Sequence, residues 1–136
     1  MPSIETLVET AVYGRDLAAM ERFYADVLGL ALIGRDEGRH VFFRAGPGSV
    51  LLCFNPEASA VPAKLPPHGA SGAGHVALGV KADELGAWRD RLGRHDVAVE
   101  AETTWPGGGR SIYFRDPSGN LLELVTPGIW GTRDGW

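Results

Sequence analysis

Short runs of alternating apolar and polar residues, broken by Gly and Pro, dominate this chain, and two stretches with helical spacing interrupt them. Leu7 to Tyr13 predicts a strand with Glu9, Ala11 and Tyr13 on one face and Val8, Thr10 and Val12 on the other. Asp16 is placed to cap a helix carrying Leu17, Met20, Tyr24, Val27 and Leu28, which Gly29 would stop. Leu30 to Gly34, Arg39 to Ala45 and Ser49 to Asn55 read as three further strands. Asn55 to Gly74, with four Pro and three Gly, has no periodicity and reads as a linker. The order then recurs: a strand over Gly74 to Val80, a helix over Asp83 to Leu92, and strands over Val97 to Ala101, Ser111 to Arg115 and Asn120 to Thr126.

The recurrence extends to individual residues. Val41-Phe42-Phe43-Arg44 matches Ile112-Tyr113-Phe114-Arg115, and Val50-Leu51-Leu52 matches Leu121-Leu122-Glu123, both at an offset of 71 (112 − 41 and 121 − 50). Glu9 matches His75 at an offset of 66 (75 − 9). The expected architecture is therefore α+β: two βαβββ modules around a shared cup in one domain over residues 1–136. Module one spans about 5–56, the linker about 57–73, module two about 74–127, and a C-terminal tail 128–136.

Composition narrows the function classes. A net charge of −4 with scattered arginines argues against a nucleic-acid partner. No apolar run approaches the ~20 residues of a membrane span, and no signal-peptide pattern opens the chain. A single cysteine, Cys53, allows no disulfide within the chain. The expectation is a soluble cytoplasmic protein with a small-molecule ligand.

The chemistry rests on three residues. Glu123 sits among Leu121, Leu122, Leu124 and Val125, so it lies on a wet sheet face or is held by a partner. His75, in Gly74-His75-Val76-Ala77, is a packed structural histidine or a ligand. The repeat makes Glu9 its counterpart. Together, one imidazole and two carboxylates suit a divalent ion such as Mn²⁺, Fe²⁺, Ni²⁺, Co²⁺ or Zn²⁺, and three protein ligands leave positions open for substrate.

Tyr24-Ala25-Asp26-Val27-Leu28-Gly29-Leu30, Gly74-His75-Val76-Ala77 and Tyr113-Phe114-Arg115-Asp116-Pro117-Ser118-Gly119-Asn120-Leu121-Leu122-Glu123-Leu124 resemble the vicinal oxygen chelate superfamily, which includes glyoxalase I, extradiol dioxygenases, fosfomycin-resistance transferases and bleomycin-binding proteins. The resemblance covers nearly the whole chain. It implies paired βαβββ modules forming a cupped, eight-stranded mixed sheet, a homodimer, and metal ligands at Glu9, His75 and Glu123. It also marks departures: Glu9 stands where His is frequent, and Leu52 stands where the glyoxalase I pattern has a fourth ligand, so typical glyoxalase I activity is not expected. Ser111 and Tyr113 match the fosfomycin transferases, but Ala11 replaces their Thr.

Around this triad, Tyr113 and Ser111 are expected to orient substrate. His40, equivalent to Ser111, is either an acid or base near the metal or a surface histidine; Phe42 is the counterpart of Tyr113. Trp105-Pro106-Gly107-Gly108-Gly109-Arg110 reads either as a mobile loop whose Arg110 clamps an anion or as a plain loop. His68 either reaches the site from the linker or is merely exposed. Two functions follow: a metal-dependent lyase, isomerase or transferase acting on a small oxygenated substrate, or a metal-free protein that sequesters an aromatic ligand, with Trp105, Tyr113, Phe42 and Tyr13 lining the pocket.

Overall fold

The computed structural model describes residues 1–136. The chain divides into two compact units, Met1–Gly72 and Ala73–Trp136. Each holds a four-stranded mixed sheet with helices, the α+β class expected.

In the first unit, β1 (Glu9–Tyr13) leads to α1 (Leu17–Arg22), and β2 (Ala31–Asp36), β3 (His40–Arg44) and β4 (Val50–Phe54) follow. The sheet order is β1-β4-β3-β2, with β1 parallel to β4 and the other pairs antiparallel. Asp16 caps α1 as expected, accepting from the Ala19 N–H at 2.9 Å. The helix does not run unchanged to Leu28. From Phe23 to Val27 it widens into a π turn, and Gly29, at φ 70°, ends it. That turn seats Phe23, Tyr24 and Val27 in the core, with the Tyr24 ring 5.6 Å from Phe43.

In the second unit, β5 (His75–Gly79), α3 (Leu85–Arg94), β6 (Ala101–Thr104), β7 (Arg110–Arg115) and β8 (Leu121–Val125) form a sheet of order β5-β8-β7-β6. The first unit also holds one short helix after β4, α2 (Pro56–Ser59), inside the segment read as a linker without periodicity. Asn55 accepts from the Glu57 and Ala58 N–H groups there, and Pro56 sits at the first helical position. The strand expected over Val97 to Ala101 lies later, at Ala101–Thr104, because pairing with β7 sets its register (Ala101 opposite Tyr113, Thr104 opposite Arg110).

Each sheet has two unlike faces. In the first, Val12, Leu51, Cys53, Val41 and Phe43 are buried together with the helix residues Met20 and Tyr24. In the second, Val76, Leu122, Leu124, Ile112 and Phe114 are buried, as are Leu85 and Leu92 of α3. With period-two alternation, the other faces carry the functional candidates.

Candidate functional site

The register makes the repeat geometric. In the first sheet Glu9 pairs with Val50, Ala11 with Leu52, and Leu52 with Phe42. In the second, His75 pairs with Leu121, Ala77 with Glu123, and Glu123 with Tyr113. Leu52 and Glu123 therefore hold the same place in their sheets, as do Phe42 and Tyr113, and His40 and Ser111.

Glu123 is only 5% exposed. A carboxylate so placed needs partners, and it has them. Its Oε1 accepts a short hydrogen bond from the Ser111 hydroxyl. Ser111 in turn accepts from the Trp105 indole N–H at 2.8 Å. Its Oε2 lies 3.3 Å from Nε2 of His75. The solvated-face reading of Glu123 is thereby replaced by the partnered one.

His75 is fixed from behind. Its Nδ1 lies 3.0 Å from the Leu121 carbonyl oxygen. A carbonyl only accepts, so Nδ1 carries the hydrogen and Nε2 points its other valence at Glu123. With a neutral ring, a nitrogen lone pair and a carboxylate oxygen face one another, which calls for a cation, whether a proton or a metal ion. A histidine whose second nitrogen is anchored to a backbone carbonyl, beside a carboxylate anchored by a hydroxyl, has the form of a metal-ligand pair with its supporting shell. The His75 side chain is half exposed, leaving the pair open to ligand.

Tyr113 completes this face, its ring 6.5 Å from that of His75. Burial, the Glu123 charge and a hydrogen bond to Glu123 push its pKa up, partly offset by a hydrogen bond with Ser111. The phenol therefore keeps its proton across the neutral range and serves as a donor.

The motif following β7 is structural. Asp116 Oδ1 accepts from the N–H groups of Ser118 and Asn120, at 2.9 and 3.0 Å, and its Oδ2 accepts from the Asn120 amide at 2.8 Å. Asn120 Oδ1 then accepts from the Gly74 N–H at 2.9 Å, tying the start of β5 to the start of β8. The knot thus adds to the β5–β8 pairing that sets His75 and Glu123 in register.

The remaining candidates lie elsewhere. Arg110 is on the opposite face of β7 from Ser111, with its guanidinium on the Ala82 carbonyl at 3.3 Å, so it is not joined to the Glu123 cluster. The loop before it is a closed turn (Trp105 N–H to Gly109 O, 2.7 Å; Gly108 N–H to Trp105 O, 2.9 Å) tied to Gly128 O by the Gly109 N–H at 3.1 Å. His40, Phe42 and His68 belong to the first unit. His40 stacks on Phe42 at 3.9 Å, and its Nδ1 is buried without a hydrogen-bond partner. Burial pushes its pKa down, with Arg39 adding to the effect and Asp36 opposing it. His68 Nδ1 lies 2.7 Å from the Tyr13 hydroxyl, with its ring against Phe54 at 4.5 Å. Glu9 is exposed at the head of β1, in the first unit. No three His, Cys, Asp or Glu side chains are gathered to hold an ion by themselves.

One neighbour of the site escaped the sequence reading. Trp136 packs against Gly79 of β5. The legible signal was the isolated glycine inside a strand pattern, which marks a close approach.

Two βαβββ units, one bearing a buried carboxylate 3.3 Å from an anchored histidine, define a paired-module α+β fold. Residues 6–124 match the model of the Glyoxalase/Bleomycin resistance protein/Dioxygenase superfamily, and the chain belongs to that family. It is 36% identical to a lactoylglutathione lyase from Agrobacterium tumefaciens, with a TM-score of 0.91, covering 96% of this chain and 100% of that one. It is 27% identical over 130 residues to MhqE of Bacillus subtilis (strain 168), a protein named for ring-cleaving dioxygenase activity. That match covers 89% of this chain but 41% of the relative, so the chain spans about two fifths of its length. The fosfomycin resistance protein FosX of Mesorhizobium loti shares the fold, with a TM-score of 0.65 at 23% identity and 97% of each chain covered. No helix is long and apolar enough to cross a membrane.

Proposed function

We propose that the chain is a metal-dependent enzyme that binds a small oxygenated substrate through two neighbouring oxygens. One observation carries this reading: His75 Nε2 faces Glu123 Oε2 at 3.3 Å while Nδ1 is committed to the Leu121 carbonyl. His75 and Glu123 would hold a divalent ion, Mn²⁺, Fe²⁺, Ni²⁺, Co²⁺ or Zn²⁺, with Glu9 as third ligand in a homodimer. The ion would act as a Lewis acid toward a developing oxyanion.

The chain's own residues set the rest. Ser111 holds the carboxylate in place and is itself held by Trp105. Tyr113, whose hydroxyl is hydrogen-bonded to Glu123, is placed to orient a substrate beside that carboxylate. His40, its pKa lowered, is neutral at pH 7 and therefore a base rather than an acid in the first unit.

Leu52 bears on the reaction type. It occupies the place of Glu123 in the first sheet and offers no ligand or base. This separates the chain from the four-ligand glyoxalase I pattern and favours another lyase, isomerase or transferase reaction. The test is an assay of the metal-loaded protein on lactoylglutathione, on an α-hydroxy ketone for isomerisation and on an epoxide with added thiol, each with and without EDTA. Activity on one of the latter two, abolished by EDTA and by Glu123→Gln, supports the reading; EDTA-insensitive activity contradicts it.

A second reading has its own observation. Tyr13, Phe42, Phe54, His40 and His68 form a connected aromatic cluster in the first unit. Such a cluster suits sequestration of a flat ligand without metal. Tight binding of an aromatic ligand by metal-free protein, unaffected by Glu123→Gln, would favour it.

A further inference from the structure

Gly79 in β5 does not have the positive φ that calls for glycine. Space is the requirement: a Cβ there would stand 2.4 Å from Cη2 and 2.7 Å from Cζ2 of Trp136. The indole thus lies against the strand on the side to which that Cβ would point. By alternation this is the face of His75 and Ala77.

The register locates the indole relative to the site. Gly79 pairs with Val125, and Val125 with Ser111, forming one row across the sheet. The adjacent row is Ala77, Glu123 and Tyr113. Rows two residues apart are roughly 7 Å apart. Trp136 therefore covers one end of the row next to Glu123, and the Trp105 indole meets Ser111 on that same row. His75 and Ala77 remain exposed beside them.

Trp136 is held in place by its own loop. Gly128 N–H donates to Gly135 O at 2.7 Å, Thr132 N–H to Trp136 O at 2.7 Å, and Trp136 N–H to Thr132 Oγ1 at 2.9 Å. Gly128 O receives the Gly109 N–H, joining this loop to the turn that carries Trp105. In the first sheet the position equivalent to Gly79 is Tyr13 (13 + 66), so there the strand supplies its own aromatic ring. In the second sheet the ring is delivered by residues 128–136.

We propose that Trp136 is a specificity-determining residue of the His75–Glu123 site. Its indole forms an apolar wall that takes a planar, apolar substituent of a ligand whose polar oxygens lie at Glu123. The polar half of that ligand rests on the metal-dependent reading above; the wall rests on the packing of Trp136 alone. An indole that only fills the gap over a glycine would stabilise the strand without affecting ligand choice, and selectivity separates the two roles.

The test uses the full chain with Mn²⁺ and two probes sharing one chelating head, benzohydroxamate with a ring and acetohydroxamate without one. Calorimetry gives affinities for wild type, Trp136→Ala and Gly79→Ala, whose new Cβ displaces the indole; circular dichroism establishes that each is folded. Wild type should prefer benzohydroxamate by about tenfold. Both variants should reduce this preference to within about twofold, with Mn²⁺ and acetohydroxamate affinities unchanged. An undiminished preference in either folded variant overturns the proposal, as does a wild type with no preference. If wild type takes up no Mn²⁺, the metal-dependent reading falls separately, and the wall is judged on benzohydroxamate binding to the metal-free chain. Binding weakened by Trp136→Ala then supports it, and absent or unaffected binding overturns it.

Discussion

Leu52 and Glu123 occupy the same place in two sheets of identical register: each lies beside an alanine of the first strand (Ala11, Ala77) and an aromatic residue of the third (Phe42, Tyr113). The repeat thus presents one scaffold twice, with a carboxylate on one copy and an isobutyl group on the other. The polar network sits only where the carboxylate is: Ser111 and Trp105 serve Glu123, while the counterpart of Ser111 is His40, stacked on Phe42.

Ser111→Ala would leave Glu123 Oε1 and the Trp105 indole N–H without their hydroxyl partner. The expected cost is about 2–3 kcal/mol of unfolding free energy. Metal affinity should fall roughly 10–100-fold, the usual effect of losing a group that orients a ligand. Urea unfolding and metal titration on the same preparations check both numbers; a full-affinity variant would detach Ser111 from the site.

Asn120→Ala should destabilise the protein by about 2–3 kcal/mol, because Asp116 Oδ2 and the Gly74 N–H lose a buried partner together. The loosened start of β5 should also weaken metal binding through His75. A denaturant midpoint within error of wild type would contradict this role for the knot.

These two cases show how far the sequence was legible. The repeat offsets, Asp16 as cap, Gly29 as stop and the strand alternation all follow from local chemistry, and the structure carries them through. Partners distant in sequence left no local signature. Nothing near Glu123 announced that Ser111, twelve residues earlier, would hold it, or that Trp105 would hold Ser111. The glycine loop ending in Arg110 could be read as a clamp or as a plain loop, and local sequence did not decide; strand parity turns Arg110 away from Ser111. β6 slid to Ala101–Thr104 because pairing with β7 outweighed the apolar pattern of residues 97–101.

His40 gives a pH dependence of stability. Its folded-state pKa lies below the ordinary value of 6.5, so between the two values the unfolded chain binds more protons than the folded one. Its contribution is therefore fully present above pH 6.5 and is lost as pH falls toward the folded pKa. Thermal unfolding from pH 7.5 to 5 should show a decline that is shallower in His40→Gln. Equal slopes in the two proteins would mean that His40 is not the titrating group.

Metal stoichiometry tests the central claim most directly. Gently purified wild type and Glu123→Gln, which keeps the side chain's shape and removes its charge, would be analysed for first-row divalent ions before and after equilibration with Mn²⁺, Ni²⁺, Fe²⁺ and Zn²⁺. The account predicts about one ion per chain in wild type and none retained in the variant, from the three-ligand set of His75, Glu123 and Glu9. A folded wild type that takes up none of the four would contradict it, leaving His75 and Glu123 as an ordinary histidine–carboxylate pair.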